Sequence, residues 1–173
     1  VSQEAIALAG HLKLNRLIFL FDDNGISIDG PLSLADSVDQ VARFKAAGWN
    51  ASRVDGFDQA AVSRAIRKAL KSDKPTMIAC KTTIGYGAPT KAGTAATHGS
   101  PLGKDEVAGA RQKLGWAYEP FVVPDPIRAA WAKAAQRGGA VYAAWTKRHD
   151  AHAQRAEHDR VVAGELPANF AST

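Results

Sequence analysis

Three short strand-like runs, at residues 16–21, 50–54 and 76–80, constrain this chain more than anything else in it. Each is too short for a helix of ordinary length. Between them, apolar residues recur at helical spacing. Ala5, Leu8, Ala9 and Leu12 mark a first helix with one buried face. Val38, Val41 and Phe44 mark a second, with Asp36 or Ser37 as its expected cap and Gly48 as its stop. Val62, Ile66 and Leu70 mark a third, capped by Asp58. Alternating helices and strands predict an α/β, doubly wound, mainly parallel sheet with helices on both faces. The unbroken Leu17-Ile18-Phe19-Leu20 run predicts a strand buried on both faces.

Polar residues then cluster where such a sheet binds ligands, just past the carboxyl ends of its strands. After the first run comes Phe21-Asp22-Asp23-Asn24-Gly25-Ile26-Ser27-Ile28-Asp29-Gly30. Its side-chain oxygens and a nearby carbonyl suit a hard cation such as Mg²⁺, which commonly holds a phosphate as well. Asp-Asp-Asn-Gly is also ordinary turn chemistry, so both readings stand on spacing alone. After the third run comes the long polar loop from Thr82 to Gly103, with five glycines and two prolines. Loops of this length inside a compact domain are functional or disordered. A further helix follows, with Val107, Ala110 and Leu114.

From Pro124 the composition turns to alanine and charge. It reads as two amphipathic helices, broken at Gly138-Gly139 and carrying Trp131 and Trp145 as packing anchors. His149 and His152 stand three apart and with His158 read as surface residues. The organisation expected is residues 1–123 as the sheet-bearing part and 124–173 as a helical covering segment and linker. A start at Val1 inside helical pattern, and an end without a closing element, read as a piece of a longer chain.

Composition narrows the function classes. No stretch approaches the roughly 20 apolar residues of a membrane span, so no membrane partner is expected. The net charge of +5 is spread among acids rather than gathered into a basic stripe, so no nucleic acid is expected either. Cys80 is the only cysteine, which excludes an intrachain disulfide and fits a cytoplasmic setting.

Together these motifs resemble transketolase, in the C-terminal half of its diphosphate-binding domain. The matching stretches run in family order over about residues 3 to 120. They are Glu4 to Gly10, Leu12-Lys13-Leu14, Asp22 to Gly30, Arg43-Phe44, Gly48-Trp49 and Lys74-Pro75. Further on come Lys81 to Gly87, Lys91 to Thr94, His98-Gly99-Ser100-Pro101-Leu102-Gly103 and Leu114-Gly115-Trp116.

The resemblance implies thiamine diphosphate and a divalent metal, Mg²⁺ or else Ca²⁺ or Mn²⁺. It implies that the Asn24 side chain and the Ile26 carbonyl ligate the metal. His98 would contact the diphosphate, face the substrate channel and act in catalysis. Ile28 and Ile84 would pack near the cofactor rings, with Asp22 close by, and Glu4 would lie near a subunit interface. A Gly-Asp-Gly motif that supplies the charged metal ligand in the family is expected upstream of Val1. Ala95 stands where many members have another histidine. The activity implied is transfer of a two-carbon ketol unit between sugar phosphates in the pentose phosphate pathway, by a cytoplasmic homodimer. This piece alone is expected to be inactive. The alternatives are another thiamine enzyme, such as a dihydroxyacetone synthase, or a non-catalytic binding module of the same fold. The His98 to Leu102 pattern argues against a deoxyxylulose phosphate synthase.

Overall fold

A computed structural model describes residues 2–172, apart from the side chain of Ser172. Val1, on which the reading of the chain's start rested, lies outside the described residues. The chain forms two compact units, the first ending at Ala117 and the second beginning at Tyr118.

In the first unit, helix α1 (Ser2–His11) leads to strand β1 (Ile18–Asp23). A two-residue pair, β2 (Ile26–Ser27) and β3 (Gly30–Pro31), forms an antiparallel hairpin. Helix α2 (Gln40–Ala46), strand β4 (Asn50–Asp55), helix α3 (Gln59–Ala69), strand β5 (Thr76–Lys81) and helix α4 (Lys104–Lys113) follow. The sheet order is β1-β5-β4, with both pairings parallel. Asp23 and Asp55 both pair with Lys81, so the carboxyl ends of all three strands are level.

Alternation along β5 explains the layers. Met77 and Ala79 point to a core shared with Ala9 of α1, Phe44 of α2, and Trp49. Ile78 points to the opposite face and is equally buried. Helix α3 packs on β4 and β5. The Trp49 ring meets Phe44 edge-on at 5.0 Å, and its Nε1–H donates to the Ile6 carbonyl at 2.9 Å. This is the expected α/β architecture.

The details differ from the expectation in instructive ways. The strand buried on both faces is β5, which lies in the centre. β1 is an edge strand here, and Leu20 is 50% exposed. Leu8 and Leu12 are also exposed, and Ala9 and Gly10 are the buried positions of α1. The cap of α2 is Asp39, not Asp36 or Ser37. Its carboxylate accepts from the Val41 and Ala42 N–H groups at 2.9 and 3.2 Å. Asp36 instead accepts from Val38 N–H and the Gln40 amide, which holds Val38 outside the helix. Asp58 caps α3 as expected, accepting from Ala61 N–H at 2.9 Å. Gly48 ends α2 with φ +87°, and Trp49 N–H reaches back to the Phe44 carbonyl at 3.1 Å.

Asp39→Ala is expected to lower stability by about 1 kcal/mol, the usual worth of such a cap. Ser37→Ala should be neutral. The shift in urea midpoint at constant slope measures both, and equal shifts would return the cap to Ser37.

In the second unit, helix α5 (Asp125–Asp150) runs unbroken through Gly138-Gly139, against the expected break. Each glycine costs about 1 kcal/mol relative to alanine, and a 26-residue, alanine-rich helix absorbs that. A turn then leads to helix α6 (Arg155–Val162). Trp131 is 74% exposed, whereas Trp145 stacks on His149. No helix among the described residues is long and apolar enough to cross a membrane.

Candidate cofactor site

The site grows from the end of β1. Asn24 folds back on its own backbone, its Oδ1 accepting the Ile26 N–H at 2.9 Å. The amide is oriented from the other side. Asn24 Nδ2 donates to Asp22 Oδ2 at 3.0 Å, so the oxygen must face Ile26. The other oxygen of Asp22 accepts from the Thr82 hydroxyl. Since Thr82 begins the loop after β5, Asp22 ties together the two strand ends that carry the polar loops. Thr82 N–H donates to the Asp23 carbonyl at 3.4 Å, doubling that tie.

The short hairpin then aims a second oxygen. Leu32 N–H donates to the Gly25 carbonyl at 2.8 Å, which makes Ile26 and Pro31 a non-hydrogen-bonded pair. In such a pair N–H and C=O both point away from the partner strand. The Ile26 N–H meets Asn24 on that outer side, so its carbonyl lies on the same side. Pro31 could not have served this carbonyl in any register, because it lacks an N–H.

The long loop packs over the hairpin. Ile28 sits at the hairpin's turn, and its Cδ1 is 3.7 Å from where a Cβ on Gly99 would lie. His98, exposed, immediately precedes that contact and follows a short 3₁₀ turn, Ala95–Thr97. Ile84 enters through its backbone, accepting Gly93 N–H at 2.8 Å. Gly85 has φ +63°, and a Cβ there would lie 2.6 Å from Thr97 Cγ2. Glycine is therefore required where the two arms of the loop press together. Helix α4 anchors the outer arm. Glu106 accepts from the Thr90 N–H at 3.2 Å and from the Thr90 hydroxyl. That hydroxyl contributes most to holding the Glu106 carboxyl below the ordinary carboxylate range.

Charge around the loop is mixed. A Cβ on Gly25 would stand 3.7 Å from the Lys81 ammonium, which places a cation beside the loop. Arg53 Nε lies 3.4 Å from Asp23 Oδ2. A cleft of about 630 Å³ opens along the ends of β4 and β5, lined by Arg53, Asp55, Phe57 and Lys81 to Thr83. Cys80 lies just inside this rim. Burial, then the Asp22 charge, pushes its thiol up from the ordinary value, so it stays protonated at neutral pH.

The structure thus gathers Asp22, Asn24 and Ile26 into one bonded unit, and brings Ile28 against Gly99, the residue that follows His98. Two groups had no role assigned from sequence. Thr82 clamps Asp22, and the Lys81 ammonium lies beside Gly25. A hydroxyl paired with a carboxylate sixty residues away leaves no local signal. Lys81 was visible as a cation at a strand end, but its direction was not.

A parallel sheet with polar loops at its carboxyl rim is the architecture of an α/β domain that binds its ligand there. Residues 1–167 match the family model for transketolase, thiamine diphosphate binding domain. The chain belongs to the transketolase family. It is 48% identical to a transketolase of Sinorhizobium medicae over 99% of its length, and 45% identical to transketolase 1 of Escherichia coli K12 over 98%. It spans 26% of each of those proteins, about a quarter. Among solved structures, a transketolase of Pichia stipitis complexed with fructose 6-phosphate superimposes with a TM-score of 0.87 at 37% identity. That match covers 99% of this chain and 26% of the other. The transketolase of Leishmania mexicana gives 0.88 at 33%, covering 99% and 27%.

Proposed function

We propose that this chain supplies one wall of a thiamine diphosphate site. The whole protein would then move a two-carbon ketol unit from a ketose phosphate to an aldose phosphate. The observation that carries this reading is the Asp22-Asn24-Ile26 unit with Lys81 beside it. Its Asn24 amide and Ile26 carbonyl are neutral, hard oxygens, the donor type that Mg²⁺, Ca²⁺ or Mn²⁺ takes alongside a diphosphate. The amide oxygen has a second lone pair beyond the one used by Ile26 N–H. The residues present therefore fit the group.

In this reading Asn24 and Ile26 hold the metal, and Asp22 fixes the amide without ligating it. Lys81 offers positive charge to phosphate oxygens. Ile28 and Ile84 give the rings apolar contact. When bound, thiamine diphosphate supplies carbanion stabilisation. His98 is exposed, and in this reading it faces an arriving sugar phosphate. There its imidazole can donate to a phosphate oxygen, or pass a proton to or from a sugar oxygen. Transketolase structures from Pichia stipitis in complex with fructose 6-phosphate and sedoheptulose 7-phosphate support sugar phosphates as the substrates. A homodimer in the cytoplasm, serving the pentose phosphate pathway, completes the proposal. Residues 124–173 would lead toward the second domain.

The test is a coupled assay on the protein in its native length, with fructose 6-phosphate as donor and an aldose phosphate as acceptor. Turnover should require both thiamine diphosphate and a divalent ion. Chelation should abolish it and Mg²⁺ restore it. Undiminished turnover after exhaustive chelation would overturn the metal assignment, and no turnover with both cofactors present would overturn the activity.

A further inference from the structure

The second unit holds a cluster that the ketol-transfer reading does not use. His149 comes from the last turn of α5, and His158 and Asp159 come from α6. We propose that these three side chains bind a transition-metal dication of the Zn²⁺ type and clip α6 to the end of α5.

The donor atoms converge on one place. His149 Nε2 lies 2.7 Å from Asp159 Oδ1, and His158 Nδ1 lies 3.3 Å from the same oxygen. All three donors fall within 4.8 Å of one another. Around an ion with bonds of about 2.0–2.2 Å, tetrahedral donors stand roughly 3.3–3.6 Å apart, so small rotations of the exposed His158 and Asp159 side chains suffice. Two imidazoles and one carboxylate suit Zn²⁺ better than Mg²⁺ or Ca²⁺, which take oxygen shells. Three protein donors leave a position for water.

The surroundings are arranged as supporting groups for such a site. Asp150 Oδ1 lies 3.4 Å from His149 Nδ1, so a carboxylate can hold the proton there and leave Nε2 as the donor. Arg155 lies 3.4 Å from Asp159 Oδ2, which turns Oδ1 toward the imidazoles. Trp145 stacks on the His149 ring at 4.7 Å, and the His149 side chain is only 14% exposed. That ring is therefore held in place before any ion arrives. An adjoining cavity of about 560 Å³, lined by His149 and His158, gives an ion access. His152, the nearer neighbour in sequence, is not one of the three. Its Nδ1 accepts the Gln154 N–H at 3.1 Å.

Calorimetric titration of Zn²⁺ into the untagged protein of native length tests this. Excess Mg²⁺ keeps hard-oxygen sites filled. One equivalent should bind in the micromolar range or tighter, and Co²⁺ should give the visible absorption of a low-coordinate site. His158→Ala and Asp159→Asn should each weaken binding by at least about tenfold, since even supporting groups cost that much at metal sites. His152→Ala should change nothing. Far-ultraviolet circular dichroism checks that the variants fold. No uptake at micromolar Zn²⁺, or uptake unchanged in the His158→Ala/Asp159→Asn double variant, would show an ion-pair network only. None of these outcomes depends on the ketol-transfer reading.

Discussion

Gly10→Ala is expected to destabilise the first unit more than any other single methyl addition. A Cβ at residue 10 would lie 1.8 Å from the Ala47 carbonyl oxygen and 3.3 Å from Trp49 Cδ1. The first of these is backbone, so no rotamer change relieves it. Either α1 or the end of α2 must move. Both carry the core, because Ala9, Phe44 and Trp49 pack with Met77 and Ala79. Overpacking of a tight core costs about 1–3 kcal/mol and sometimes more. A backbone clash belongs at the upper end, so about 3 kcal/mol and a fall in Tm of about 10 °C or more are expected. Gly138→Ala is the control. Nothing lies within 4 Å of its added methyl, and it sits inside α5. Alanine there should stabilise by up to about 1 kcal/mol. Thermal unfolding by circular dichroism distinguishes the two, and equal midpoints would mean that α1 is not packed on α2 as the structure has it.

That contact also shows how far the sequence could be read. Gly10 lay in the stretch that resembles the family, but nothing local to it says that a carbonyl thirty-seven residues on presses against its Cα. The alternation of helix and strand was legible because each element carries its own period. The parallel sheet followed from it. Which strand is central did not follow, since β1 and β5 are both short apolar runs, and only the pairing β1-β5-β4 separates them. Caps were legible where one candidate stood alone, as Asp58 does. They failed where Asp36, Ser37 and Asp39 competed within four residues, because Asp36 is occupied by its own turn.

The site divides in the same way. Asn24 and Ile26 belong to one local turn, so their joint placement was readable from spacing and resemblance. Asp22 was read only as a neighbour of the cofactor. Its bonds to Asn24 and Thr82 make it a brace between two strand ends, which no one-dimensional pattern encodes. The His149-His158-Asp159 cluster is a tertiary meeting of two helices. In the sequence the three histidines read as surface residues, with His149 and His152 merely three apart.

Asn24→Ala is expected to abolish most metal-dependent cofactor binding while leaving the fold nearly intact. The residue is half-buried in a loop and fills no core space. Its loss removes the hydrogen bonds to Ile26 N–H and Asp22, a cost of about 1 kcal/mol. At the site the loss is larger. On the proposed reading, one oxygen would leave an ion that demands near-octahedral geometry, and the Ile26 turn that would aim the second loses its brace. Thiamine diphosphate affinity in Mg²⁺ should fall by more than about 10²-fold, above the 10–100-fold cost of removing a supporting group. Asn24→Asp separates geometry from charge. It keeps an oxygen toward Ile26 but replaces the Nδ2 donor, 3.0 Å from Asp22 Oδ2, with a second carboxylate. Two carboxylates that close oppose each other's ionisation, and one must turn away or take a proton. The aspartate variant should therefore bind cofactor about as poorly as alanine at pH 7. It should recover in Asp22→Asn/Asn24→Asp, where the donor is restored from the other side. Calorimetry of thiamine diphosphate into the native-length protein, with Mg²⁺ present and absent, reads all of these. Wild-type affinity in Asn24→Ala would reduce the loop to an ordinary turn, and failure of the double variant to recover would remove Asp22 from its role as brace.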